Sequence, residues 1–120
     1  MIRGMVTEDG VPLIVLRLAD EDWVTIIDTG FNGDLELPDA LRSRLSLTPA
    51  GTIKSELASG VAIEEDAYRV DIEFDGEVVE ADVTFADIEH ALLGTELLAK
   101  HRLEIDFPKA TVRLSRATDS

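Results

Sequence analysis

The chain has 120 residues, 11 Lys plus Arg against 25 Asp plus Glu, and a formal net charge of −14; this length suits a single domain over residues 1–120 whose one core buries about two-thirds of the unfolded surface. Absence of cysteine excludes disulfides, thiolate nucleophiles and thiolate metal sites, while 45% hydrophobic residues supply enough apolar matter for a globular protein. Acidity disfavours nucleic acid as a partner, no apolar run approaches the roughly 18 residues of a membrane helix, and the N-terminus carries no signal-type leader, so a cytoplasmic protein without membrane association is expected.

Short runs of Val, Ile and Leu, split by turn signals at close intervals, predict a mostly β domain with helix in the minority. Strands over 2–6 and 12–18 flank Glu8-Asp9-Gly10, where Asp-Gly supplies the positive backbone angles of a tight hairpin turn. Residues 23–27 form a nearly continuous apolar run, as in a strand covered on both faces, and end in the polar sequence Asp28-Thr29-Gly30. Pro38 suits the first turn of a helix and Leu41 and Leu45 share a face, so a short helix is expected over 38–45, ended by Thr48, Pro49 and Gly51. Residues 52–57 and 61–74 read as strand arms on either side of a small tip, Ala58-Ser59-Gly60. Asp75-Gly76 is a second hairpin signal, joining 68–74 to 77–85. Val70, Ile72 and Phe74 alternate there with Asp71, Glu73 and Asp75, giving a buried face and a wet one. Leu92-Leu93-Gly94 leads into a short helix over 95–100, with Gly94 or Thr95 at its N-cap and Lys100 near its C-terminus, and strands over 102–107 and 111–114 close the domain.

Ile26-Ile27-Asp28-Thr29-Gly30, followed far along the chain by Leu92-Leu93-Gly94, resembles the retropepsin-like aspartic peptidases, the retroviral-type members of the pepsin clan. In that family an apolar-apolar-Asp-Thr/Ser-Gly segment makes the active-site loop, and an apolar-apolar-Gly segment before a short helix threads beside it. Asp28-Thr29-Gly30-Phe31-Asn32-Gly33 running into Leu35-Glu36-Leu37-Pro38 looks like the small stand-alone prokaryotic members. So does Leu93-Gly94-Thr95-Glu96-Leu97-Leu98 running into Arg102-Leu103-Glu104-Ile105-Asp106-Phe107, and the likeness spans residues 11–114. Phe31 departs from it, standing where the retroviral and pepsin-like enzymes usually carry Ala or Ser.

The resemblance implies a closed β-barrel half with one or two short helices, completed by homodimerisation. It implies Asp28 as the catalytic residue, Thr29 and Gly30 as support of its loop, Leu92, Leu93 and Gly94 as packing beside that loop, and Ala58, Ser59 and Gly60 as a flap over substrate. Two carboxylates held close together share a proton, so one takes a proton from water while the other polarises the scissile carbonyl; no metal or cofactor is implied. Only one Asp-Thr-Gly occurs in the chain, so the second carboxylate is expected from another copy across a two-fold axis. The substrate is then an extended peptide or protein pairing with the flap and Gly30, with Phe31, Ile53 and Ile63 as candidate pocket walls.

The expected function is therefore that of an aspartic endopeptidase. A non-proteolytic dimerisation or peptide-binding module on the same fold is the alternative, and a salt-adapted structural subunit a third. An intact Asp-Thr-Gly favours the enzyme, because a scaffold needs no carboxylate buried against its symmetry mate. Glu64-Glu65-Asp66 and Asp71, Glu73 and Asp75 lack the converging ligands and turn glycines of a hard-cation loop and read as solvated faces. His90 and His101 lack metal-ligand spacing and read as structural or surface residues, and Trp23 and Tyr68 as core or rim.

Overall fold

A computed structural model describes residues 1–56 and 58–117 of the chain. Among them ten strands run in the order β1 (Ile2–Val6), β2 (Pro12–Leu18), β3 (Glu21–Ile27), β4 (Leu35–Pro38), β5 (Thr48–Glu56), β6 (Ala62–Phe74), β7 (Glu77–Ala86), β8 (Ala91–Leu93), β9 (His101–Asp106) and β10 (Thr111–Arg116). A 3₁₀ turn, Asp39–Leu41, follows β4, and helix α1 (Thr95–Leu98) follows β8. All ten strands join one sheet, ordered β5-β6-β7-β4-β8-β3-β2-β1-β10-β9. Most neighbours are antiparallel, but β3 pairs with β8, and β4 with β7, in parallel. The expected half-barrel is closed by packing: its hydrogen-bonded ladder is open at β5 and β9, and the sheet curls until β2 lies against β6 and β10 against β2.

Alternation decides which way each strand faces. Ile14, Leu16 and Leu18 of β2 are buried while Val15 and Arg17 are exposed, and Val70, Ile72 and Phe74 of β6 are buried while Asp71 and Glu73 are exposed. Leu35, Leu37, Leu41, Val83, Leu93 and Leu114 complete the interior at 0–1% exposure. Each such side chain contributes about 1.5–3 kcal/mol by leaving water. Tyr68 and Trp23 pack on the rim of this core, Tyr68 edge-on to Phe85, and His101 edge-on to Phe74. Among the described residues no helix is long and apolar enough to cross a membrane.

The Asp75-Gly76 hairpin forms as its sequence demands, with φ of 51° and 80° at its two turn residues and Phe74 paired to Glu77. Asp75 does not share the wet face of Asp71 and Glu73. Its side chain is 8% exposed, held by the N-terminal amine at 2.6 Å and flanked by Arg116, which also binds Glu77 at 2.7 Å. The first hairpin closes through a longer loop in which Gly10 (φ 82°) takes the positive angle; the Thr7 N–H donates to Val11 and the Gly10 N–H to Thr7.

The helix expected over 38–45 is absent. Pro38 instead ends β4, in register with Ala86 of β7, and only the single 3₁₀ turn follows, its Arg42 N–H donating to Asp39. Non-local pairing of Leu35–Pro38 thus overrides a local helix-start signal. Strand β5 begins at Thr48 rather than 52, because it is the edge strand, where Pro49 costs no ladder bond, and a register shift between Pro49 and Gly51 absorbs the irregularity. Leu57, expected to end that arm, lies outside the described residues. Helix α1 is shorter than expected, with Gly94 at its N-cap, Ala99 at its C-cap and Lys100 beyond it.

Ala110 holds a left-handed backbone (φ 54°) between β9 and β10 without glycine's freedom. Ala110→Gly is expected to stabilise the protein by about 0.5–1 kcal/mol, seen as a higher urea midpoint at unchanged m-value.

Candidate active site

Strand β3 runs beside β8 in register, Thr25 with Ala91, Ile26 with Leu92 and Ile27 with Leu93, and the ladder continues one step further as the Asp28 N–H donates to the Leu93 carbonyl at 3.0 Å. Beyond Asp28 the chain turns. The Phe31 N–H donates to the Asp28 carbonyl (3.1 Å), and the Gly30 N–H donates to Asp28 Oδ1 (3.0 Å), a short polar turn that orients the carboxylate. From the opposite side the Gly94 N–H donates to the Asp34 carbonyl (2.9 Å), Thr95 N–H to Phe31 (2.9 Å) and Glu96 N–H to Gly33 (3.2 Å). The first amides of α1, which have no partner within their own helix, are therefore satisfied by the loop that carries Asp28.

Gly94 is buried against this loop, and a methyl group there would overlap the Gly33 carbonyl oxygen and come within 2.8 Å of the Phe31 ring. A methyl group on Gly33 would meet the same ring at 2.7 Å. Phe31, a candidate pocket wall from sequence, is therefore folded back over two glycines, and its bulk is matched by the side chains they lack. Leu92 and Leu93 part company. Leu93 is fully buried beneath the loop, whereas Leu92 is half-buried beside Ile26 on the other face of the sheet.

Asp28 is half-buried in the single chain, while Thr29 and Gly30 are exposed, and Thr29 makes no side-chain hydrogen bond among the described residues. Ala58, Ser59 and Gly60 lie at the turn of the β5–β6 hairpin, beyond its last pair, Glu56 with Ala62; all three are exposed, and Gly60 takes φ 85°. Ile63 of this hairpin is half-buried and Ile53 is 36% exposed.

Two acids near the loop, Glu36 and Asp34, were not singled out by sequence, and a third, Glu65, departs from the solvated face expected of Glu64-Glu65-Asp66. Glu36 of β4 is half-buried opposite Leu92, and burial, then the carboxylates of Glu65 and Asp28, push its pKa up. Glu65 is half-buried although Glu64 and Asp66 on either side are exposed. The Asp34 carboxylate accepts the Asp82 N–H at 2.9 Å; burial raises its pKa against that hydrogen bond, with the Glu96 and Asp82 charges adding to the rise. The available signal was Glu36 itself, a lone charge between two leucines in the segment Leu35-Glu36-Leu37-Pro38.

No family model matches the chain, and no curated protein does. Among solved structures it is similar to a retropepsin-like aspartic protease from Rickettsia conorii, at 20% identity and a TM-score of 0.62, over 96% of this chain and 89% of that one. It is similar to the EIAV protease complexed with the inhibitor HBY-793, at 19% identity and a TM-score of 0.61, over 78% of this chain and 89% of that one. A third likeness is to the simian foamy virus (mac) protease, at 18% identity and a TM-score of 0.56, over 72% and 91% of the two chains. The chain has the retropepsin-like fold.

Gly94→Ala is expected to destabilise the protein by about 3 kcal/mol, read as a lower thermal midpoint, because backbone must move to admit the methyl group. Asp34 holds its proton to higher pH when folded than its ordinary 3.8, so ionisation at neutral pH opposes folding and the opposition vanishes below that value. Asp34→Asn keeps an oxygen for the Asp82 N–H. It should raise stability at pH 7 and lose that advantage below about pH 4, as denaturant titrations at the two pH values would record.

Proposed function

We propose that this chain is an aspartic endopeptidase that hydrolyses peptide bonds as a homodimer, each protomer supplying Asp28. The carrying observation is the setting of Asp28 on a retropepsin-like fold: a half-buried carboxylate at the end of a parallel strand pair, oriented by the Gly30 N–H and without a cationic partner among the described residues. Exposure of Thr29 and Gly30 in the single chain supports a two-fold axis at this loop, where the Thr29 hydroxyl bonds to the partner's loop and Gly30 lets the backbones approach.

Two such carboxylates cannot both ionise comfortably, so the pair holds one proton. The charged member takes a proton from the water between them as that water attacks the peptide carbonyl, and the protonated member donates to the carbonyl oxygen. The tetrahedral species then collapses as a proton passes to the departing nitrogen, with no covalent enzyme intermediate. The β5–β6 hairpin acts as the flap, its tip of Ala58, Ser59 and Gly60 lying over an extended peptide and excluding water. Substrate backbone pairs with flap and Gly30, and Ile26 and Leu92 form an apolar floor under its side chains.

Asp28→Asn should abolish cleavage of an unstructured peptide mixture, a loss of at least about 100-fold, while sedimentation still finds the dimer. Turnover at the wild-type rate in that variant would remove the dyad. No cleavage by either protein, with the dimer intact, would favour a peptide-binding module.

A further inference from the structure

Ile26, Leu92, Glu36 and Thr84 stand in one row across β3, β8, β4 and β7: Ile26 is opposite Leu92, Leu92 opposite Glu36 and Glu36 opposite Thr84. Side chains at matched positions of neighbouring strands point to one face, here the face away from the core, because Ile27, Leu93, Leu35 and Val83 fill the other. The row begins two residues before Asp28. Its two polar members have no partners: Glu36 makes no ion pair or hydrogen bond among the described residues, and Thr84, only 4% exposed, has a hydroxyl without a hydrogen bond there. On β6, where Tyr68 pairs with core-facing Val83, the alternation places Ile63, Glu65 and Ala67 on this same face, and Glu64 and Asp66 are exposed on the other. Glu64 is neutralised by Lys54 at 3.7 Å, whereas Glu65 has no counterion among the described residues, and its charge and that of Asp28 both act on Glu36.

We infer that this face of the sheet, beside Asp28, selects a Lys or Arg side chain of the substrate, with Glu36 as the specificity-determining residue and Glu65 as the second carboxylate, on β6. The inference rests on the proposed endopeptidase site and adds the chemical class it takes. Half-buried carboxylates that repel one another and lack counterions are relieved by a cation, and a charge-assisted hydrogen bond in such a setting is strong. Lys and Arg also carry an aliphatic stem, which Ile26 and Leu92 accommodate, while the Thr84 hydroxyl offers a further acceptor.

The test uses peptides identical except for Lys, Arg, norleucine or Glu at each position flanking the cleaved bond, followed by cleavage with the wild-type protein and by fluorescence anisotropy with Asp28→Asn. At one position Lys and Arg should exceed norleucine by about tenfold or more in kcat/KM and in affinity, with Glu the poorest. Glu36→Gln should bring the Lys-to-norleucine ratio to within about threefold, and Glu65→Gln should lower it less, while Glu73→Gln, which removes the same charge from the exposed face of β6, should leave it unchanged. Thermal melting of each variant shows that the fold is kept. No basic preference, a preference that survives Glu36→Gln, or an equal loss in Glu73→Gln overturns the inference. If the wild type cleaves nothing, the endopeptidase reading fails and anisotropy alone decides: a basic preference lost on adding Glu36→Gln upholds the acidic subsite, and binding without charge preference, or no binding, overturns it.

Discussion

Gly94 lies so close to the carbonyl of Gly33 that no side chain fits between them, and this contact holds two segments distant in sequence in one interlock. Around it the Gly94 amide reaches Asp34, the next two amides reach Phe31 and Gly33, and the Phe31 ring covers both glycines. The loop bearing Asp28 is thus anchored from below by β8 and from the side by the start of α1. The chain between the two halves of the interlock contains the β5–β6 hairpin, which is rooted in the sheet through β7 and β4. The proposed flap is thereby rooted, through β7 and β4, in the same sheet whose parallel pairings create the loop.

Charge is distributed with equal economy. The cations of the chain are few, and several pair with acids: Arg44 with Glu21, Arg69 with Glu80 and Asp82, Arg116 with Glu77 and Asp75, Arg17 with Asp22. Exposed pairs of this kind contribute little stability each. Their effect here is on the pattern of charge, because they pair with other acids and leave Glu36 and Glu65 without counterions among the described residues.

Features specified by neighbouring residues were legible in the sequence: the Asp75-Gly76 turn, the alternation of β6, the apolar run ending at Asp28, and the pairing of that motif with Leu92-Leu93-Gly94. Features specified by distant partners were not. Pro38 looks like a helix start until β7 claims Leu35–Pro38, and Pro49 looks like a terminator until β5 proves to be an edge. Phe31 resembles a pocket wall unless the missing side chains of Gly33 and Gly94 are known to lie beneath it. Glu65 belongs to a run of three acids, and the alternation of β6 separates it from Glu64 and Asp66. The candidate site was readable as a motif centred on Asp28, whereas the acids around it come together only after strands from four parts of the chain have met.

The parallel alignment of β3 with β8 also bears on the order of events during folding. Strand pairings between segments far apart in sequence form late, since the intervening chain must first be organised. Until Leu93 supplies its carbonyl and Gly94 seats itself on Gly33, Asp28 has only the local hydrogen bond from Gly30 and lacks its anchorage to β8. A nascent or partly folded chain consequently lacks the fixed setting of Asp28 until β3 and β8 have met.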